Sequence, residues 1–284
     1  DITIADIRDA ARFRHALESA DVIFNLAADI SHTGSMRDPL RDLDLNVAAQ
    51  LAFLRACCDL RRAVRVVYTS TRQVYGRTRG TPVDETWPVA PVDFNGVHKY
   101  TTTHYHLLLG RLGHIDPVVL RLTNLYGPRM ALRAGTPSVL AAFFRQALDG
   151  RALRLFGDGN QKRDPLHVDD AVEALLLSGL VETPAHRVLN IGSATPVSLR
   201  RIALELSRIA GLPAPVFEPF PPDHQAIDIG DFCTQPARAA AVLHWSARIG
   251  LSEGLASTWD HYQAKPAEVR QPLFQPAFGE SGQG

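Results

Sequence analysis

The first 122 residues alternate between short β-branched apolar runs and stretches of helical periodicity, and that rhythm constrains the fold more than any single residue. "DITIADI" (1–7) reads as a strand and "RDAARFRHALES" (8–19) as a helix capped by Asp9. "DVIFNLAA" (21–28) reads as a second strand, and "LRDLDLNVAAQLAFLRACCDL" (40–60) as a long amphipathic helix. "RVVYTS" (65–70) and "PVVLRL" (117–122) are two further strands, with a helix starting near Asn95 between them. Strands that are apolar throughout, separated by helices, predict a parallel sheet covered on both faces.

From residue 123 the punctuation changes. Gly, Pro and Arg break up "LYGPRMALRAGTP" (125–137) and "FGDGNQKRDPLH" (156–167), with shorter helices and isolated strands between them. This predicts a smaller α+β domain over the carboxyl edge of the sheet, where open α/β folds bind ligands. The tail, "KPAEVRQPLFQPAFGESGQG" (265–284), has no apolar period and predicts disorder.

Thirty basic and thirty acidic side chains leave no net charge, so nothing supports a nucleic-acid partner or an anionic membrane surface. The longest apolar run, "AVEALLLSGLV" (171–181), is too short to span a bilayer, and no basic-then-apolar leader opens the chain. A cytoplasmic protein is expected. Three cysteines, with Cys57 and Cys58 adjacent in an apolar helix, read as reduced thiols rather than a disulfide framework. Eleven scattered histidines show no metal-ligand spacing, so no metal is expected.

The stretch "DFNGVHKYTTTHYH" (93–106) carries the chemistry. Asp93 is placed to cap a helix, and Asn95 and Lys99 stand four apart, hence on one helical face. Lys99 is one of only three lysines in the chain.

Several motifs in order resemble the extended short-chain dehydrogenase/reductase family of nucleotide-sugar epimerases, dehydratases and decarboxylases. They are "ADIRD" (5–9), "FNLAAD" (24–29), "LNVAAQLAFLRAC" (45–57), "VVYTSTRQVYG" (66–76) and "LRLTNLYGPR" (120–129). "FGDGNQKRDPLHVDD" (156–170), "LNIGSATPVSL" (189–199) and "LHWSARIGLSEGL" (243–255) continue the series. The resemblance implies an α/β Rossmann-like parallel sheet over residues 1–122 and a mainly substrate-binding domain over 123–263. Residues 187–192 are expected to return to the sheet, and 264–284 to be a disordered tail.

The same resemblance implies NAD as cofactor, with NADP left open, a nucleotide-sugar substrate, and room for a homodimer. It assigns cofactor contacts to Asp6, Ile7, Leu26, Ala27, Ala28, Asn46, Lys99 and Thr123, and substrate contacts to Asn124, Arg163 and His224. His224 stands where relatives often place an arginine.

Two departures from the family pattern stand out. The glycine-rich pyrophosphate turn is absent, and the chain opens at what would be the family's third strand. About 50 residues of a dinucleotide fold are thereby unaccounted for, as in a fragment or a truncated gene product. The second departure is Asn95, where the family has the tyrosine of Y-x-x-x-K. In the family that tyrosine takes the sugar hydroxyl proton, and the lysine holds the ribose and lowers the tyrosine's pKa. An amide orients a hydroxyl but does not accept its proton.

Thr71 stands at the family's catalytic Ser/Thr, but its hydroxyl is a poor base unaided, so another base is needed. His32 is the first candidate, and His98, expected to point off the Lys99 face, the second. Arg72-Gln73 replaces the dehydratases' Asp-Glu pair, which favours epimerisation over dehydration or decarboxylation. A dehydratase or decarboxylase with a rearranged site, and a non-catalytic binder of NAD and sugar nucleotide, remain the alternatives.

Overall fold

The computed structural model describes residues 2–60, 62–132, 138–182 and 186–265. Its centre is a four-stranded parallel sheet in the order Val22–Asn25, Val64–Thr71, Ile115–Leu122, Val188–Ile191. The second strand is buried along nearly its whole length, as a strand covered on both faces must be. Its side chains part by alternation. Val64 and Val66 join Leu54, Cys57 and Ile115 under one helical layer, while Val67 meets Ala171, Ala174 and Leu189 under the other.

Because all four strands are parallel, their carboxyl ends share one edge. Asn25, Thr71, Leu122 and Ile191 finish there, with Asn25 level with Tyr68, and Thr71 and Ile191 both level with Leu122. The helix Phe94–Arg111 starts above this edge and returns the chain to the strand at Ile115. Its start is fixed by Asp93, whose Oδ1 accepts the Gly96 N–H at 2.6 Å.

A second core forms from the helices Val139–Leu148, Leu199–Ala210 and Leu251–Gln263 around Phe143, Phe144, Leu155, Ile202, Leu206 and Leu255. Short strand pairs join 124–126 to 165–167, 154–156 to 216–218 and 162–163 to 197–198. Among the described residues no helix is long and apolar enough to cross a membrane.

Two expectations for the start of the chain are corrected. Residues 2–6 of "DITIADI" form no strand; Ile2 and Ile4 lie 95% and 72% exposed. The apolar alternation is present, but no neighbouring strand supplies the hydrogen bonds that would make it one. Asp9 does precede the helix Ala10–Ser19, yet its side chain caps nothing and instead pairs with Arg12 at 3.1 Å. The expected tail lies, beyond Lys265, outside the described residues.

Candidate active site

Asn95 and Lys99 occupy the first turns of the helix Phe94–Arg111 and are almost fully buried, at 1% and 5% exposure. The Asn95 amide is locked. Its Nδ2 donates to the Asp29 carbonyl at 2.9 Å and to Asp42 Oδ2 at 3.0 Å, which uses both amide hydrogens. Both partners are acceptors, so the amide cannot be turned over, and Oδ1 has no donor among the described residues. Asn95 therefore offers the site an acceptor.

The other oxygen of Asp42 lies 2.6 Å from His98 Nδ1. His98 thus turns to the carboxylate that holds Asn95, while Lys99 turns to the sheet edge and donates to the Thr69 carbonyl at 3.2 Å. Lys99 also sits 5.1 Å from the Tyr68 ring centroid. Burial pulls the Lys99 ammonium down to about 8, with Asp42 and Asp29 pulling it part of the way back.

Thr71 ends the neighbouring strand, and its hydroxyl accepts the Gln73 N–H at 3.2 Å, opening a single 3-10 turn over Arg72–Tyr75. Gln73 Nε2 donates to Asp93 Oδ2 at 2.8 Å. The same Asp93 oxygen lies 3.1 Å from His32 Nδ1, a close polar contact without hydrogen-bond alignment. Burial pushes the Asp93 carboxyl up, but His32, the Gly96 N–H and Gln73 together outweigh it and hold the carboxyl below its ordinary value. Each of the two candidate bases has a buried carboxylate beside it, Asp93 for His32 and Asp42 for His98, and the carboxylate beside His32 also caps the helix that carries Lys99. Thr71, Asn95, Lys99 and His32 come together at one end of the sheet.

The residues expected to contact the cofactor divide into groups. Leu26, Ala27 and Ala28 lie exposed beyond the strand Val22–Asn25, in a loop held by Gln50, which bridges Asn25 and the Ala27 carbonyl. Asn46 lies on a π-helical turn, Asp44–Ala48, whose extra residue swings it inward; its Nδ2 reaches the Asp29 carbonyl at 3.1 Å. Ile7 packs against the cluster around Leu54. Asp6 is bound by Arg8, whose hydrogen bonds hold the carboxyl down at about 2.

Asn25 Oδ1, Asn46 Oδ1 and Thr123 Oγ1 are buried without a partner, and Lys99 has hydrogens left after its one bond to Thr69. Unspent acceptors and a cation at the strand ends suit the ribose hydroxyls and carboxamide of a nicotinamide dinucleotide.

On the substrate side, the Asn124 Oδ1 accepts Arg72 Nε at 3.1 Å. Arg163 is largely spent inside the protein, on the Lys162 and Gly230 carbonyls, Gln161 and Asp228. His224 is exposed on the short helix Pro222–Ala226, with its ring 6.0 Å from Phe156, and joins none of these groups. A hollow of about 560 Å³, lined by Arg77, Thr81, Gln225, Asp228 and Gly230, lies beside Arg163 rather than over Asn95. Asp42 and Asp93 were not singled out as site residues from sequence. Asp93 shows there only as a helix cap, and Asp42 looks like one more polar residue on an amphipathic helix.

The geometry sets a lysine and a fixed amide one helical turn apart at the carboxyl edge of a parallel α/β sheet. The signature of the NAD dependent epimerase/dehydratase family matches residues 1–192. UDP-glucose 4-epimerase of Mycolicibacterium smegmatis is 32% identical over 247 residues, covering 86% of this chain and 77% of that protein. Among solved structures, Thermotoga maritima UDP-glucose 4-epimerase with UDP-glucose superposes with a TM-score of 0.82 at 29% identity, covering 91% of this chain and 83% of that one. The Thermus thermophilus UDP-glucose 4-epimerase complex with NAD gives 0.82 at 28% identity, with 92% and 84% covered. The chain belongs to the NAD dependent epimerase/dehydratase family.

Proposed function

We propose that the protein is an NAD-dependent nucleotide-sugar epimerase that works by transient oxidation of a sugar hydroxyl, with His32 in place of the missing tyrosine as the base. The nicotinamide, when bound, takes a hydride from the sugar carbon and returns it. The observation that carries the reading is the fixed amide of Asn95, its Oδ1 open, one turn from Lys99 and within the same cluster as Thr71 and His32.

Each residue then has a task its environment suits. Asn95 Oδ1 accepts the hydrogen bond of the reacting hydroxyl and aims it without taking its proton. Thr71 gives that oxygen a second polar contact. Lys99 holds ribose hydroxyls and keeps positive charge beside the developing alkoxide. His32 takes the proton, and the buried Asp93 stabilises the imidazolium that results. Asn124 contacts the diphosphate through its Nδ2, since Arg72 occupies its oxygen. Exposed Phe94, Val97 and Leu108 on the same helix, with Leu40, Leu43 and Leu51, make a surface suited to a second copy of the chain in a homodimer.

The decisive measurement is turnover of sugar nucleotides together with NAD binding, in wild type and His32→Ala. The variant should lose about 10²–10⁴-fold in kcat while its NAD dissociation constant stays within about twofold of wild type. Full activity in His32→Ala would hand the proton to another group. Binding of both ligands by the wild-type protein with no label exchange at any sugar carbon would make it a binding protein, which the loss of the tyrosine favours.

A further inference from the structure

Arg72 is a half-buried cation with no ion pair among the described residues. Its Nε bonds to a neutral amide oxygen on Asn124 at 3.1 Å, its guanidinium carbon lies 5.3 Å from the Phe232 ring centroid, and its Nη1 is buried with no partner. The carboxylates around it are committed elsewhere. Asp93 serves Gly96, Gln73 and His32; Asp164 serves Ser193 and Thr234; Asp228 serves Arg163 and Gln161. Burial, then the nearby Arg163, draws the Arg72 guanidinium down to about 9 against the pull of Asp164, Asp228 and Asp93. A guanidinium taken out of water with an unused N–H edge is costly to the free protein, and a planar oxyanion arriving on that edge offsets the cost.

We propose that Arg72 is a specificity-determining residue that receives a carboxylate on the sugar ring, so that the substrate is a nucleotide-linked uronic acid. The proposal rests on the nucleotide-sugar reading of the site. Three features place the anion at the ring rather than at the diphosphate. Arg72 follows Thr71 directly in the chain, at the reacting end. Its charged surroundings include Asp93, the carboxylate beside His32. It holds Asn124 by the oxygen, so the Asn124 Nδ2 faces outward from the guanidinium, and a diphosphate bound there lies on the far side of that amide. A neutral hexose leaves Nη1 unpaired, as it is in the free protein, and gains nothing from it.

The test compares binding and turnover of UDP-glucuronate, UDP-glucose and UDP in wild type, Arg72→Met and Arg72→Lys. Wild type should prefer UDP-glucuronate to UDP-glucose by roughly ten- to hundred-fold, the span of a charge-assisted hydrogen bond. Arg72→Met should erase that preference, UDP-glucuronate losing about ten-fold or more in affinity relative to both UDP-glucose and UDP, with Arg72→Lys retaining part of it. A wild-type protein that treats the two sugars alike overturns the proposal without any variant. So does an Arg72→Met protein that loses affinity for all three ligands equally, since Arg72 would then hold the diphosphate. If none of the three binds to wild type, the nucleotide-sugar reading itself falls, and this proposal with it.

Discussion

Lys99 carries its charge where the surroundings discourage charge. Burial lowers its pKa from 10.5 to about 8, so between those values the unfolded chain holds the proton and the folded one has begun to release it. Stability from this group therefore rises with pH across that window, and the penalty is fully present below about pH 8. Lys99→Met should be most stable relative to wild type at and below pH 8, and the difference should shrink by up to ~3 kcal/mol as pH rises to 10.5. Urea unfolding at pH 7.5 and pH 10 measures it; an equal difference at both would mean that the ammonium is not penalised by burial. A cation held this way is ready for ligand hydroxyls, so the same variant should bind NAD more weakly. The Asn95–Lys99 spacing was legible because it is local to one helix. The locking of the amide was not, since Asp42 is 53 positions away.

The helix Phe94–Arg111 is a weak helix by composition, with Thr101, Thr102 and Thr103 in a row and glycines at 96 and 110. Contacts beyond the helix hold it. Thr102 donates to the Asn46 carbonyl at 2.6 Å and so joins the helix to the π-helical turn Asp44–Ala48. Gly110 lies so close to the sheet that a Cβ there would come within 2.6 Å of Pro117 Cγ. Pro117 is tolerated inside a central strand because the next strand begins pairing only opposite Val119. Gly110→Ala should gain about 1 kcal/mol of helix propensity and lose roughly 1–3 kcal/mol to overpacking. The expected net is a lower urea midpoint. A midpoint that rises would show that the helix can lift off Pro117 at no cost, and then the placement of Asn95 and Lys99 owes little to this contact.

Across the whole molecule, one buried carboxylate ties the segment after residue 123 to the end of the sheet. Asp164 accepts the Ser193 N–H at 2.9 Å and hydroxyl at 2.5 Å, and the Thr234 N–H at 2.9 Å as well as its hydroxyl. Gly192, after the last sheet strand, is needed for this approach, because a Cβ there would lie 2.4 Å from Asp164 Oδ2. Asp164→Ala leaves these donors without an acceptor and should cost about 3 kcal/mol or more in urea unfolding. A loss under about 1 kcal/mol would mean that water replaces the carboxylate and the two halves are joined by other contacts. Arg163, the neighbouring residue, is drawn into the same seam, which is why its guanidinium has so little left for a ligand.

Apolar runs of strand length between helical periods were enough to read the parallel sheet, because covering both faces leaves its mark on consecutive residues. Thr71, Asn95 and Lys99 stand out in the sequence through the resemblance of their motifs to a known family, and the structure sets them at the carboxyl end of the sheet. "DITIADI" had the alternation of a strand but not the structure of one, since a strand exists only through a neighbour that the pattern does not name. Arg163 read as a ligand from its motif, and only the folded chain brought Asp228 and Gly230 against it. Likewise the meeting of His32 with Asp93, of Asn95 with Asp42, and the isolation of Arg72 among carboxylates with other partners were settled by how distant loops close over the sheet. Periodicity decides which face of an element is buried; the tertiary fold decides which polar groups must satisfy one another there and which is left over for a substrate.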